Sequence, residues 1–227
     1  MSRMKPRQLP LAMPHQAAMS REDFVVGEGN REATAFIDAW PDWPASVVLL
    51  IGPNGSGKTH LVNIWATKSR ASVVAAADLA SADPTALVST GAVAVEDADD
   101  PALDENALFH LLNAARGRGA SVLITAHAVP SVWGVTLPDL LSRLRAAQPA
   151  FLGPPDDALL EKVIVKLLAD RQLAIDAGVL DYILLRMERS CAAACALVEA
   201  LDRESLARGR RITRAIAAEV LAPEGEA

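Results

Sequence analysis

No apolar run in these 227 residues approaches the ~20 needed to cross a bilayer. The chain is 51% hydrophobic even so, but alanine supplies much of that figure, which points to helices and away from a membrane. Cysteine is almost missing, with Cys191 and Cys195 the two present. They lie one turn apart on what reads as one helix face, which suits a neighbour pair and excludes a disulfide framework; two thiols alone seldom hold zinc. Both are expected to be reduced, small core residues of a cytoplasmic protein. Positive charge is also short. A net charge of −6 argues against a dominant nucleic-acid surface, because phosphate neutralisation needs clustered Lys and Arg. Partners should be proteins, with no direct sequence-specific DNA binding. Arg3, Lys5 and Arg7 are followed by no apolar segment, so no secretory signal is expected.

The strongest positive feature is Gly52-Pro53-Asn54-Gly55-Ser56-Gly57-Lys58-Thr59. Two glycines at the phosphate-loop spacing, followed by Lys and Thr, form a polyphosphate cradle when a strand feeds them and a helix comes next. Both conditions hold. Val47 to Ile51 has the composition of a buried parallel strand, and Leu61, Val62, Ile64 and Trp65 recur at helical spacing. Such a turn aims backbone N–H groups and a helix dipole at one spot. Lys58 would reach the β- and γ-phosphates and the Thr59 hydroxyl would hold Mg²⁺.

Short apolar runs alternate with helical stretches from Phe24 to Ile124. Strands are expected at 47–51, 72–76, 92–95 and 121–125, with a fifth near 150–152, and the clearest helix spans 105–116. Alternation of this kind predicts a parallel five-stranded sheet flanked by helices. Gly153-Pro154-Pro155 then breaks the chain, and Asp156 or Asp157 can cap the next helix. Beyond the break no strand pattern returns: a stripe of Leu159, Leu160, Val163, Ile164, Leu167 and Leu168, then helices at 179–185, 192–206 and 213–221, predict a small all-helical lid. The expected domains are a flexible tail at 1–20, an α/β core at 21–153 and the lid at 154–227.

A phosphate-loop enzyme also needs acids at the end of a neighbouring strand. Glu96 and Asp97 come directly after the apolar run Val93-Ala94-Val95, as Mg²⁺ ligand and catalytic acid respectively. Glu96 stands where Asp is usual, which moves the carboxylate by one methylene. His127, after the fourth strand, is either a phosphate sensor or an ordinary surface residue. By itself Arg143, on a helix whose leucines face the core, reads as a solvated residue.

Phe24-Val25-Val26-Gly27 with Asn30-Arg31, Gly-Lys-Thr-His-Leu at 57–61, the run 136–144 around Ser142-Arg143-Leu144, and Leu201-Asp202-Arg203-Glu204-Ser205 together resemble the DnaA/Hda family of AAA+ proteins. The resemblance spans roughly residues 7–221. It implies an AAA+ core with a helical lid that binds ADP or ATP with Mg²⁺. Val25 and Val26 would line the adenine pocket, residues 52–59 would form the phosphate loop with His60 next to it among the nucleotide-binding residues, and Arg143 would be an arginine finger offered in trans. Gln8-Leu9-Pro10-Leu11 resembles a sliding-clamp-binding motif, with Gln8, Leu9 and Leu11 as anchors. The chain ends where the initiators of the family continue into a helix-turn-helix domain, so its regulator branch is the expected one. The function implied is inactivation of the initiator DnaA by stimulating hydrolysis of DnaA-bound ATP, while docked on the β sliding clamp of DNA polymerase III, preventing re-initiation. A homodimer is a further partner to consider. The alternative is an autonomous AAA+ ATPase of the helicase-loader kind. One departure bears on hydrolysis in cis: Ala192 occupies the place of the family's lid arginine, with Arg189 one turn earlier as a substitute.

Overall fold

Val47–Ile51 forms β1 at the centre of a parallel sheet, between Ser121–Ala126 (β4) and Gln148–Phe151 (β5). Ser72–Ala75 (β2) and Ala92–Glu96 (β3) complete the order β2-β3-β4-β1-β5. Register along β1 is direct, with Val47 opposite Val122 and Ile51 opposite Ala126. The computed structural model describes residues 19–222, which fall into two units, 19–154 and 155–222.

Side chains alternate across a strand, and here both faces are covered. Leu49, Ile51, Val93, Val95, Val122 and Ile124 pack with Leu108, Leu111 and Leu112 of α4 (Glu105–Arg118) and Leu140 and Leu144 of α5 (Pro138–Ala146). Val48, Leu50, Ala92, Ala94 and Leu123 face the other way, onto Ile37 of α1 (Arg31–Asp38) and Leu61, Val62 and Trp65 of α2 (Lys58–Ser69). Each buried Val, Leu or Ile side chain among these stabilises by about 1.5–3 kcal/mol. A short helix, α3 (Pro84–Leu87), starts at Pro84 behind the N-cap Asp83. The third expected strand runs one residue further than its apolar pattern, and the second ends one residue early because Ala76 opens a 3₁₀ turn. The fifth lies at 148–151 rather than 150–152: it is an edge strand, where Pro149 is tolerated and Phe151 is exposed.

The lid unit packs α6 (Asp157–Asp170), α7 (Ala177–Leu184), α8 (Cys191–Arg208) and α9 (Arg214–Leu221) around Leu160, Ile164, Ile183, Val198, Leu201 and Ala217. Asp156 caps α6 by accepting from Leu159 N–H at 2.7 Å, and Ser190 caps α8 from Ala193 N–H at 3.0 Å. Cys191 and Cys195 are free thiols on α8, half-buried rather than in the core.

Candidate functional site

Parallel strands carry their site at the C-terminal edge, where the connecting loops gather. β1 delivers Gly52 there, held by Gly52 N–H donating to the Ala126 carbonyl at 3.1 Å. A Cβ at Gly52 would lie 2.7 Å from the Leu152 carbonyl oxygen and 2.9 Å from Ser56 Oγ, so nothing larger fits. Gly55 and Gly57 take φ of 69° and 100°, the left-handed turn that brings the chain into α2 at Lys58. Pro53 and Asn54 are exposed, while Ser56 and Lys58 are buried.

Lys58 is 7% exposed, and its Nζ donates to the carbonyls of Gly52 at 2.8 Å and Pro53 at 3.2 Å. Burial lowers its pKa from the usual lysine value, opposed by Asp97, Asp99 and Glu96. Ser56 Oγ is buried without a hydrogen-bond partner among the described residues. A desolvated ammonium, an orphaned hydroxyl and a helix N-terminus in one loop fit a polyphosphate. Thr59 is exposed in the first turn of α2 and Glu96 half-buried at the end of β3. No group of three His, Cys, Asp or Glu able to hold a metal occurs among the described residues.

The acidic loop after β3 is built rather than merely solvated. Asp97 takes φ of 55°, its N–H donates to Thr125 Oγ1 at 2.9 Å, and Ala98 N–H donates to the Thr125 carbonyl at 2.8 Å. Asp99, which the sequence did not single out for a role, accepts from His127 N–H at 2.8 Å, from Ala128 N–H at 3.2 Å and meets His127 Nδ1 at 3.0 Å. The other ring nitrogen, Nε2, lies 2.5 Å from Asn54 Oδ1. His127 therefore links the loop after β3 to the phosphate loop.

Val25 and Val26 are half-buried and exposed respectively, on a segment tied to this site by its neighbours. The Phe24 ring comes within 3.1 Å of where a Gly57 Cβ would stand and meets the His60 ring edge-on at 5.1 Å. Asn30, 4% exposed, accepts from Gly27 N–H at 2.8 Å and donates to the Val25 carbonyl at 3.1 Å. Met19 and Ser20, expected in the tail, pack on α2 through Asn63 and His60. Gln8, Leu9 and Leu11 lie outside the described residues.

Arg143 is not part of this constellation. It lies in the last turn of α5, its Cζ 4.7 Å from the Phe109 ring centroid, and with Arg116 it lines a cavity formed by Ala45–Val47, Ala120 and Ala147. Those residues open β1, β4 and β5, so the arginine sits at the edge opposite the phosphate loop. Within the lid, Arg189 is ion-paired with Asp157, and Ala192 lies in the first turn of α8.

The Hda lid domain model matches residues 161–221. Domain III of the Thermotoga maritima replication initiation protein DnaA is similar to 89% of this chain, over 95% of its own length, with TM-score 0.74 and 17% identity. AMPPCP-bound DnaA from Aquifex aeolicus aligns over 83% of this chain and 67% of its own, with TM-score 0.66 and 20% identity. The Thermotoga maritima RuvB Holliday junction branch migration motor gives 0.69 and 19%, over 90% of this chain and 72% of its own. A comparison with curated protein sequences gives no match. The five-stranded parallel sheet with its helices and helical lid is the AAA+ fold.

Proposed function

We propose that this chain, an AAA+ protein of the DnaA/Hda family by its core fold and its lid, is a cytoplasmic regulator that inactivates the replication initiator DnaA. It holds ADP on its own phosphate loop, docks on the DNA sliding clamp through its N-terminal segment, and stimulates hydrolysis of ATP bound to DnaA. One observation carries the reading. Arg143 stands at the N-terminal edge of the sheet, a strand length of roughly 15 Å from the chain's own phosphate loop. From that edge it cannot serve a nucleotide in cis and is free to serve one in trans. An arginine finger neutralises charge developing on the transferring phosphoryl group and contributes on the order of 10³–10⁵ in rate.

On its own nucleotide site, Lys58, Ser56 and the N-terminus of α2 would bind the phosphates, with Phe24, Val25, Val26 and His60 toward the base. Thr59 and Glu96 would hold Mg²⁺, which would screen the phosphate charge. Asp97 would be the acid that orients a water. An autonomous ATPase is the second reading, favoured by the three carboxylates whose charges act on Lys58. Against it, the one arginine near the missing lid position, Arg189, is held by Asp157 within the lid.

The test is a reconstituted assay with ATP-loaded DnaA, clamp-loaded DNA and this protein. Arg143→Ala should fold, bind ADP and dock on the clamp normally, yet lose stimulation of DnaA-bound ATP hydrolysis. Arg143→Lys should rescue little, because a lysine lacks the planar fork that meets phosphate oxygens. Full stimulation by Arg143→Ala would reject the finger.

A further inference from the structure

The cavity beside Arg143 has a volume of about 260 Å³ and combines apolar Val47, Leu112 and Ala147 with the two arginines Arg116 and Arg143. The last turns of α4 and α5 carry Arg116 and Arg118, and Arg143 and Arg145. Residues 19–154 hold nine Lys and Arg against fifteen Asp and Glu, so four of those nine cations gather at one edge of an acidic unit. Among the described residues no ion pair engages Arg116 or Arg143. Arg143 lies over the Phe109 ring, its Cζ 4.7 Å from the centroid, a cation–π contact that keeps the guanidinium charged and its N–H groups as donors.

Arg116 and Arg143 both wall this concavity, and a concavity is filled only by something that protrudes from the partner. We propose that this cavity is a socket for a glutamate side chain of the protein partner, with Arg116 as the counter-ion that seats it. The methylenes of such a side chain match the apolar lining, and its carboxylate can take both N–H bonds of a guanidinium. The proposal rests on the trans reading of Arg143 and divides the labour at this edge: Arg116 acts in docking, Arg143 in the hydrolysis. Arg116 is thus a specificity-determining residue and not a catalytic one.

The experiment titrates this protein into ATP-loaded DnaA with clamp-loaded DNA and reads half-saturation and maximal hydrolysis rate separately. Arg116→Ala should raise the half-saturating concentration at least tenfold while the maximal rate stays within twofold. Ala146→Leu should likewise raise the half-saturating concentration at least tenfold without changing charge, because Ala146 is an exposed α5 residue lining the cavity and a leucine there fills it. Wild-type half-saturation in both variants overturns the socket, and so does an Arg116→Ala protein with a lowered maximal rate. Arg143→Ala is run beside them: persistent stimulation there rejects the finger and leaves the socket to be judged on its own variants. Direct binding of immobilised ATP-loaded DnaA gives that judgement without hydrolysis. Wild-type binding that Arg116→Ala loses supports the socket, and equal binding by the two, or none by the wild type, overturns it.

Discussion

Asp99 and His127 are joined twice, through the backbone N–H of the histidine at 2.8 Å and its Nδ1 at 3.0 Å. The Asp99 side chain is only 12% exposed, so these contacts are poorly replaced by water. With Nδ1–H given to Asp99, Nε2 faces Asn54 of the phosphate loop, as donor if the ring is protonated and as acceptor of the amide N–H if it is neutral. Asp99→Ala should therefore destabilise the protein by about 1.5–3 kcal/mol, the range for hydrogen bonds to a charged group. It should also weaken ADP binding by freeing the histidine from its orientation. His127→Ala should cost less stability, since the backbone contacts to Asp99 survive. Urea unfolding and titration calorimetry measure the two effects; Asp99→Ala with wild-type stability would show that the acid is an ordinary loop residue.

The glycine turn between β1 and α2 was legible in the sequence because its physics is local: glycines at fixed spacing, a strand before, a helix after. The five strands were legible because burial on both faces leaves unbroken apolar runs, and only the edge strand, with Pro149 and exposed Phe151, was displaced. Contacts that close the site were not legible. Asp99 meets His127 across 28 residues of sequence, and Asn30 pins the Val25 segment by backbone contacts that any polar residue at that position could suggest. Phe24 over Gly57 depends on how two elements meet. The same holds for Arg189, whose partner Asp157 lies on another helix of the lid. Location at opposite sheet edges, which separates Arg143 from the phosphate loop, emerges only once strand directions are known.

Lys58 separates binding from stability. Burial lowers its pKa from 10.5, so the charged form is disfavoured in the folded state relative to the unfolded chain. That cost is present at neutral pH and fades as pH rises through the folded value toward 10.5. Lys58→Met should consequently melt at the same temperature as the wild type or higher in the absence of nucleotide. It should also lose the rise in melting temperature that ADP gives to a protein binding it only when folded. Thermal-shift measurements with and without ADP and Mg²⁺ check both halves. A Lys58→Met protein that still responds to ADP would contradict the role given to the amine.

The two thiols should be slow to react. Burial pushes Cys191 up to about 11, with Cys195 adding to the shift, and burial raises Cys195 as well. The thiolate is the reactive form, so at pH 8 a disulfide reagent should label the folded protein slowly and the unfolded protein fully. The sign for stability is that of an acid with a raised folded pKa. Its contribution is complete below the unfolded value of 9.0 and is lost as pH rises toward about 11. Rapid labelling of both cysteines at pH 8 under native conditions would count against this burial.

The N-terminal motif makes its own prediction. Gln8-Leu9-Pro10-Leu11 precedes the first described residue. Burying Leu9 and Leu11 on a clamp would contribute roughly 1.5–3 kcal/mol each, while ordering each residue of the segment costs about 1–2 kcal/mol. The net affinity should be micromolar or weaker for a single contact and should rise when the clamp offers several subunits or DnaA sits beside it. Gln8→Ala combined with Leu9→Ala should remove clamp binding and leave the melting temperature and ADP affinity unchanged. Both readouts matter, because loss of clamp binding together with a lower melting temperature would mean that the segment supports the fold. A double variant that still captures the clamp at wild-type strength would move the docking site onto the core and leave the motif without a role.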